Sequence, residues 1–375
     1  MAEALNWSSG QQEAIATVAA WLRIRYAPYF YLAGYAGSGK TTLAKHVAAL
    51  QKGKVRYAAF TGKAAKVMRM AGCEGAQTIH SMIYYIEFDA ATGKVERRLR
   101  APNAFEGTSL FIIDEVSMVN AELAMDLLSF GVPILVLGDP FQLPPVEGAG
   151  YFTAGKPTVM LTEVHRQAKD SPIVRLATDI REGVFRNSLR QGRLPGLTIT
   201  RKADLDPTEV TEADAVIVGR NDTRFNFNRR LRELGGFTGD LPNVGETVIC
   251  LRNDRDKAIS NGELFRVHAV KKPVKGTFGR KARFAVIEPD VEGRQPIDVE
   301  VREQFFQGRA GELGWRQKKG TQEFDFGYAL TCHKAQGSGW PRVCVFDESR
   351  VFREDADRWL YTAVTRASQH LTMVI

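Results

Sequence analysis

The sequence predicts an α/β fold in which two parallel sheets, each wrapped by helices, follow one another along the chain, and each sheet carries a small β insertion. Three observations carry this prediction. Between Met1 and about Met160, short apolar runs alternate with helical stretches: "YFYLAG", "VRYAAFT", "LFIIDE" and "PILVLGD" have the character of strands buried on both faces. The alternation restarts at "DAVIVGRND", breaks off after about Gly245, resumes at "FDFGYALTCHKAQGSGWPRVCVFDE" and closes with "RWLYTAVTRASQHLTMVI". The two interruptions read as β structure. "YYIEFDAATGKVERRLR" is a hairpin around an Ala-Thr-Gly-Lys turn, and "ETVICLRND", "LFRVHAV", "ARFAVIEP" and "IDVEV" are short strands of a small barrel.

A chain of 375 residues, 44% of them hydrophobic, is long enough for more than one core. It contains no apolar run near the roughly 20 residues of a membrane span, and "MAEALNWSSG" lacks the basic start and apolar centre of a signal peptide. The expected location is therefore the cytoplasm, in a bacterial nucleoid or a phage-infected cell, with no membrane partner. Cys73, Cys250, Cys332 and Cys344 are scattered without metal-ligand spacing and read as reduced thiols. The formal charge of +8 favours an acidic polymer as partner.

The most specific local signal is "YLAGYAGSGKTTLAKHV", an apolar strand that passes through glycines into a helix. Gly34, Gly37 and Gly39 permit positive φ and close backbone approach, so the N–H groups around Ser38 can turn inward on an anion. Lys40 adds a mobile cation for the outer phosphates, Thr41 offers a hydroxyl to Mg²⁺, and Thr42 follows in the first turn, where the helix dipole favours negative charge. The pattern implies a nucleoside polyphosphate. Asp114 and Glu115 end the strand "LFIIDE", where adjacent carboxylates can divide the work: Asp114 to hold Mg²⁺, Glu115 to activate an attacking water. Gln142 in "GDPFQLPPV" is placed to sense the terminal phosphate; read alone, the segment is equally an ordinary proline-rich turn.

In order, "SSGQQEAI", "GYAGSGKTT", "FTGKAAKVM", "TIHSM", "FIIDEVSM", "GDPFQLPPV", "LTEVHRQ", "YALTCHKAQGSGWPRV" and "YTAVTRA" resemble the superfamily 1 helicases, most closely the RecD-like and phage Dda-like branch of superfamily 1B. The resemblance implies two RecA-like motor domains, residues 1–165 and 166–375. A hairpin pin would lie at about 84–102 in the first and an SH3-like barrel at about 246–324 in the second. It implies ATP and Mg²⁺ as cofactors and single-stranded DNA and its junctions with duplex as partners. The activity implied is 5′ to 3′ translocation with unwinding in replication, recombination or repair, by a monomeric motor with possible protein partners.

Residue by residue, the resemblance gives Gln11 the adenine edge, His165 a stacking position on the base, and Arg166 and Arg366 the γ-phosphate. It places Thr61, Lys63, Thr78, His80, Asn221, Thr331, His333 and Lys334 along a DNA track, and Tyr84 and Phe88 on the pin. Taken singly, these Thr and His residues equally suit helix caps or loop bonds, and the tyrosines equally suit packing at the hairpin root. One departure from the pattern is Gly339-Trp340 after "QGS", where many members carry a glutamate, so sugar selectivity is not implied. Two other readings of the chain stay open: a motor subunit that unwinds only within a multisubunit complex, and a phosphate-loop enzyme acting on a small molecule.

Overall fold

The computed structural model describes residues 7–88, 95–145, 150–163, 171–185, 191–254, 257, 259, 261–276, 278–287 and 295–375. The chain divides into two units, Met1–Val174 and Arg175–Ile375.

The first unit begins with α1 (Ser9–Ile24), opened by a capping box in which Ser8 and Gln11 satisfy each other's backbone N–H groups. Then follow β1 (Tyr29–Gly34), α2 (Lys40–Ala49), β2 (Lys54–Ala59), α3 (Gly62–Met70), β3 (Gln77–Thr78) and α4 (Ile79–Ile83). The hairpin of β4 (Tyr84–Phe88) and β5 (Val95–Leu99) leads to β6 (Thr108–Asp114), α5 (Ala121–Leu128), β7 (Ile134–Gly138) and β8 (Val159–Leu161). The sheet order is β3-β2-β6-β7-β1-β8, and every pairing in it is parallel.

Alternation explains its layers. Phe30, Leu32, Leu110, Ile112, Leu135 and Leu137 face α1, α2 and α3, through Trp21, Leu43 and Met68 among others. Their neighbours Tyr31, Ala33, Phe111, Ile113, Ile134 and Val136 face α4 and α5, through Met82 and Leu127. Parallel strands bring all their carboxyl ends to one edge, and Gly34, Ala59, Asp114 and Gly138 lie there together.

The second unit takes up α6 (Pro172–Arg181), which begins just before the division, then β9 (Gly192–Leu194), β10 (Leu197–Thr200), α7 (Pro207–Thr211), β11 (Ala215–Val218) and α8 (Asn221–Leu234). After the insertion come β17 (Ala329–Thr331), α11 (Cys332–Ala335), β18 (Trp340–Phe346), α12 (Ala356–Val364) and β19 (Ala367–Val374). This sheet runs β17-β11-β18-β19-β10-β9, parallel except for the edge strand β9.

The insertion contributes β12 (Thr247–Cys250), β13 (Leu264–Gly276), β14 (Gly279–Ile287), β15 (Ile297–Arg302), α9 (Glu303–Phe306), α10 (Trp315–Lys318) and β16 (Phe324–Phe326). Its antiparallel order, β15-β14-β13-β12-β16, closes on itself where Val301 bridges Gln322, just ahead of β16. Phe265, Phe284, Phe324 and Val299 fill the interior. The barrel was expected, but β13 is no short strand. It pairs with β14 as far as Gly276 and Gly279, past a register shift at Pro273, because Lys271–Gly276 are exposed and tolerate a hairpin outside the core.

The expected hairpin turn, residues 91–94, lies outside the described residues. Among the described residues, no helix is long and apolar enough to cross a membrane, and all four cysteines are free and buried.

Candidate nucleotide-binding site

β1 ends in Gly34 and the chain turns through Tyr35 to Ser38, whose N–H donates to Tyr35 O at 3.2 Å. Gly37 and Gly39 hold φ of 77° and 81°, a region costly for any residue with a Cβ. A Cβ on Gly34 would sit 2.4 Å from Ser38 Oγ and 3.2 Å from Lys40 Cγ, so only glycine lets the loop fold back on its strand. The Lys40 ammonium donates to Gly34 O at 2.7 Å and Tyr35 O at 3.1 Å. Ser38 is buried, and its hydroxyl has no protein partner. A closed loop with a cation and an orphaned hydroxyl donor fits a phosphate group.

Thr41, in the first turn of α2, donates its hydroxyl to Asp114 Oδ2 at 3.0 Å across the sheet edge from β6. Burial raises the Asp114 carboxyl above its ordinary range, opposed by the Lys40 charge and by bonds from the Glu115 N–H and the Thr41 hydroxyl. A hydroxyl and a carboxylate, both hard oxygen donors, form a set that fits Mg²⁺. Glu115 sits at φ 54°, ψ 46°, a left-handed conformation unusual for a residue with a Cβ, while its N–H donates to Asp114 Oδ1 at 2.8 Å. A left-handed conformation of this kind costs of order 1–3 kcal/mol and falls on the expected general base.

After β7, Gln142 is buried and its N–H donates to Asp139 O at 3.2 Å. Its Oε1 has no protein partner, so an acceptor waits at the same sheet edge for a donor such as a water. Tyr31 lies beneath this turn, its phenol raised well above the usual range by burial and by the nearby Asp139 carboxylate.

Gln11 is buried against the loop: its amide donates to Ser38 O at 3.3 Å and accepts from Ser8 N at 3.1 Å. The amide therefore ties the start of α1 to the phosphate loop. Thr42 is exposed on α2. His165 and Arg166 lie outside the described residues. In the second unit, the Arg366 guanidinium is buried and donates to Thr362 O (2.9 Å), Ser338 O (3.0 Å) and Thr365 Oγ1 (3.1 Å).

The residues expected along the track occupy carboxyl edges as well. Thr61 and Thr78 cap α3 and α4 through Ala64 N and Ser81 N. Lys63 follows Thr61 in α3, half-buried. His80 packs between Phe60 and Tyr84, whose hydroxyl bonds Asp126, so Tyr84 is held at the hairpin root rather than offered as a face. Phe88 is the register partner of Val95 at the end of the hairpin strands.

On the second sheet, Val218 and Thr331 are register partners, which sets Asn221 after the one and α11 after the other. His333 packs on Phe352, and burial lowers its pKa although Asp355 opposes this. Lys334 is half-buried, its pKa lowered by burial and by Arg224 and partly restored by Asp325. On the barrel, Lys271, Arg280, Lys281 and Arg283 are paired to Asp298, Glu300 and Glu303.

Two residues escaped the sequence reading. Glu348 accepts from the N–H groups of Gly219 (2.6 Å) and Arg220 (3.1 Å) and from Thr223 Oγ1 (2.7 Å), closing the start of α8. Its signal was present, since "VCVFDE" repeats the strand-then-carboxylates pattern of "LFIIDE". Asn228 is buried with its amide on Ala329, and its only signal was a spacing of four from Arg224 and Arg232.

A family profile described as AAA domain matches residues 6–195, and one described as UvrD-like helicase C-terminal domain matches residues 326–374. The chain is 28% identical over 370 residues to the ATP-dependent RecD2 DNA helicase of Deinococcus radiodurans, covering 90% of this chain and 45% of that protein. It is 29% identical over 188 residues to the ATP-dependent DNA helicase PIF1 of Saccharomyces cerevisiae, covering 41% of this chain and 21% of that protein. The chain thus spans less than half the length of these relatives. Among solved structures, the Pif1 helicase from Candida albicans matches with a TM-score of 0.57 at 19% identity, covering 99% of this chain and 95% of that one. The Pif1 helicase from Bacteroides in complex with ADP-AlF3 and ssDNA matches with a TM-score of 0.56 at 19% identity, covering 96% and 91%. These likenesses show the fold: two RecA-like domains, each a parallel sheet with its insertion.

Proposed function

Because this chain belongs to the AAA-domain family and stands with the superfamily 1B, RecD-like helicases, we propose that it is an ATP-driven DNA helicase that tracks 5′ to 3′ along single strands. The observation that carries the reading is the bond from Thr41 to Asp114 beside Lys40, with the left-handed Glu115 next in line. A phosphate loop and a carboxylate pair joined in this way serve hydrolysis of a nucleoside triphosphate.

Lys40 and the loop N–H groups would bind and orient the phosphates, Lys40 exchanging its carbonyl partners for phosphate oxygens. Thr41 and Asp114 would hold Mg²⁺, which when bound supplies charge neutralisation at the outer phosphates. Glu115 would take the proton of the attacking water, and Gln142 Oε1 would orient that water by accepting its second hydrogen. Arg366 would contribute positive charge once released from its carbonyl partners. Thr61, Lys63, Thr78, Thr331 and Lys334 would bear on the DNA backbone, with no base read, and Phe88 would belong to the element that splits the duplex.

The Pif1 helicase from Bacteroides, which shares this fold, binds ADP-AlF3 and ssDNA, which supports nucleotide and single-stranded DNA as ligands here. The test measures ATP hydrolysis with and without single-stranded DNA, and strand separation on duplexes bearing a 5′ or a 3′ tail. Hydrolysis indifferent to DNA would return the chain to the small-molecule class. DNA-stimulated hydrolysis without separation would make it a motor that unwinds only within a multisubunit complex.

A further inference from the structure

α8 carries a polar stripe where an amphipathic helix ordinarily buries hydrocarbon. Arg224, Asn228 and Arg232 are spaced four apart on one face, and all three are buried. All three reach the segments that enter and leave the barrel. Arg224 donates to Asp325 Oδ2 in β16 at 2.7 Å. The Asn228 amide donates to Ala329 O at 3.1 Å and accepts from Ala329 N at 2.8 Å. Arg232 forks onto Glu246, at the entry to the barrel, with bonds of 2.6 and 2.9 Å, and covers the ring of Phe326 at 3.8 Å.

The middle contact is the informative one. β17 is an edge strand, paired with β11 on one side only. The outward N–H and C=O of Ala329 are taken by one side-chain amide, which stands in for a neighbouring strand. Ala329 begins the three residues that end in Thr331, and α11 with Lys334 follows at once. A shift of β17 by one residue would turn Thr331 and everything after it. Arg224 and Asp325 also bear on Lys334, one repelling and the other attracting its charge.

We propose that Asn228 is a positioning residue for single-stranded nucleic acid. By fixing the main chain of Ala329 it sets the register from which Thr331 and Lys334 meet the phosphodiester backbone, and Arg224 steadies the same segment through Asp325. The inference rests on the proposed reading of the chain as a DNA-tracking motor. Asn228 touches no substrate and acts only through β17.

The experiment uses the full chain, a fluorescent oligothymidylate as probe, and three variants: Asn228→Ala, Lys334→Ala and the double variant. Asn228→Ala is expected to weaken oligothymidylate binding about tenfold. Its DNA-free ATP hydrolysis should match the wild type, and the loss in the double variant should be clearly smaller than the product of the two single losses, because both changes act on one contact block. Wild-type affinity in Asn228→Ala, or losses that multiply in the double variant, would overturn the proposal while leaving the motor reading intact. A wild-type chain that binds no oligothymidylate would overturn both. Should Asn228→Ala fail to fold, Arg224→Lys, which keeps a cation against Asp325, carries the same measurements with a smaller loss expected, and unchanged affinity there would count equally against the proposal.

Discussion

The two sheets each present a strand, a short turn and a helix at the carboxyl edge, yet the turns are built for opposite ends. In the first, β1 passes through Gly37 and Gly39 at positive φ into α2, and Gly39 caps the helix with no side-chain bond. In the second, β11 passes through Gly219 and Arg220 into α8, and the Glu348 carboxylate already bonds both N–H groups and the Thr223 hydroxyl. A helix start favours an anion in either case. One site is shaped for an anion from outside; the other is closed by the protein's own. A Cβ on Gly219 would lie 2.8 Å from Glu348 Cβ, so that glycine serves the internal carboxylate as Gly34 serves the phosphate loop. The comparison teaches that the same strand-turn-helix unit can be left open to an anion, as at Gly37 and Gly39, or closed by a carboxylate of the chain itself, as at Gly219.

The largest effect expected is at the open turn. Lys40→Ala should abolish ATP hydrolysis, read as phosphate release, while oligothymidylate binding without nucleotide persists; turnover comparable to the wild type would remove Lys40 from the site. Next, Glu115→Gly should lower turnover by about 10²–10⁴-fold as the base is lost. It should also raise stability to denaturant by about 1 kcal/mol, since glycine accepts φ 54° without strain. A destabilised Glu115→Gly chain would show that no strain is stored there.

At the closed turn, Glu348→Gln should cost about 1–2 kcal/mol in a urea melt through weaker bonds to Gly219, Arg220 and Thr223. Nucleotide should still bind at one per chain by calorimetry. A second bound nucleotide would break the comparison, because it would mean that Glu348 alone kept the second turn from acting as the first. The smallest effect concerns His333. Burial lowers its folded pKa below the ordinary 6.5, so the unfolded chain binds more protons below that pH. The His333 contribution should therefore be fully present above about pH 6.5 and fall away as pH drops toward its folded value. Melting temperature followed from pH 7.5 to 5.5 should decline less steeply in His333→Gln than in the wild type.

What the sequence determined alone is whatever depends on near neighbours. "GYAGSGKTT" contains its own loop, cation and hydroxyl, and the strand and helix around it follow from local periodicity, so Gly34 to Thr41 were legible without a fold. The apolar runs were legible as strands for the same reason, and so was the barrel. The remaining features needed tertiary structure, because they are bonds between residues far apart in the chain. Nothing local says that the Gln11 amide ends on Ser38 O, that Tyr84 is anchored by Asp126, or that Glu348 closes a turn 128 residues before it. Nothing local separates Arg224, Asn228 and Arg232 from an ordinary solvated helix face either. A polar side chain looks the same in sequence whether water or a buried main chain receives its hydrogen bonds, and only the packed fold decides which of the two it meets.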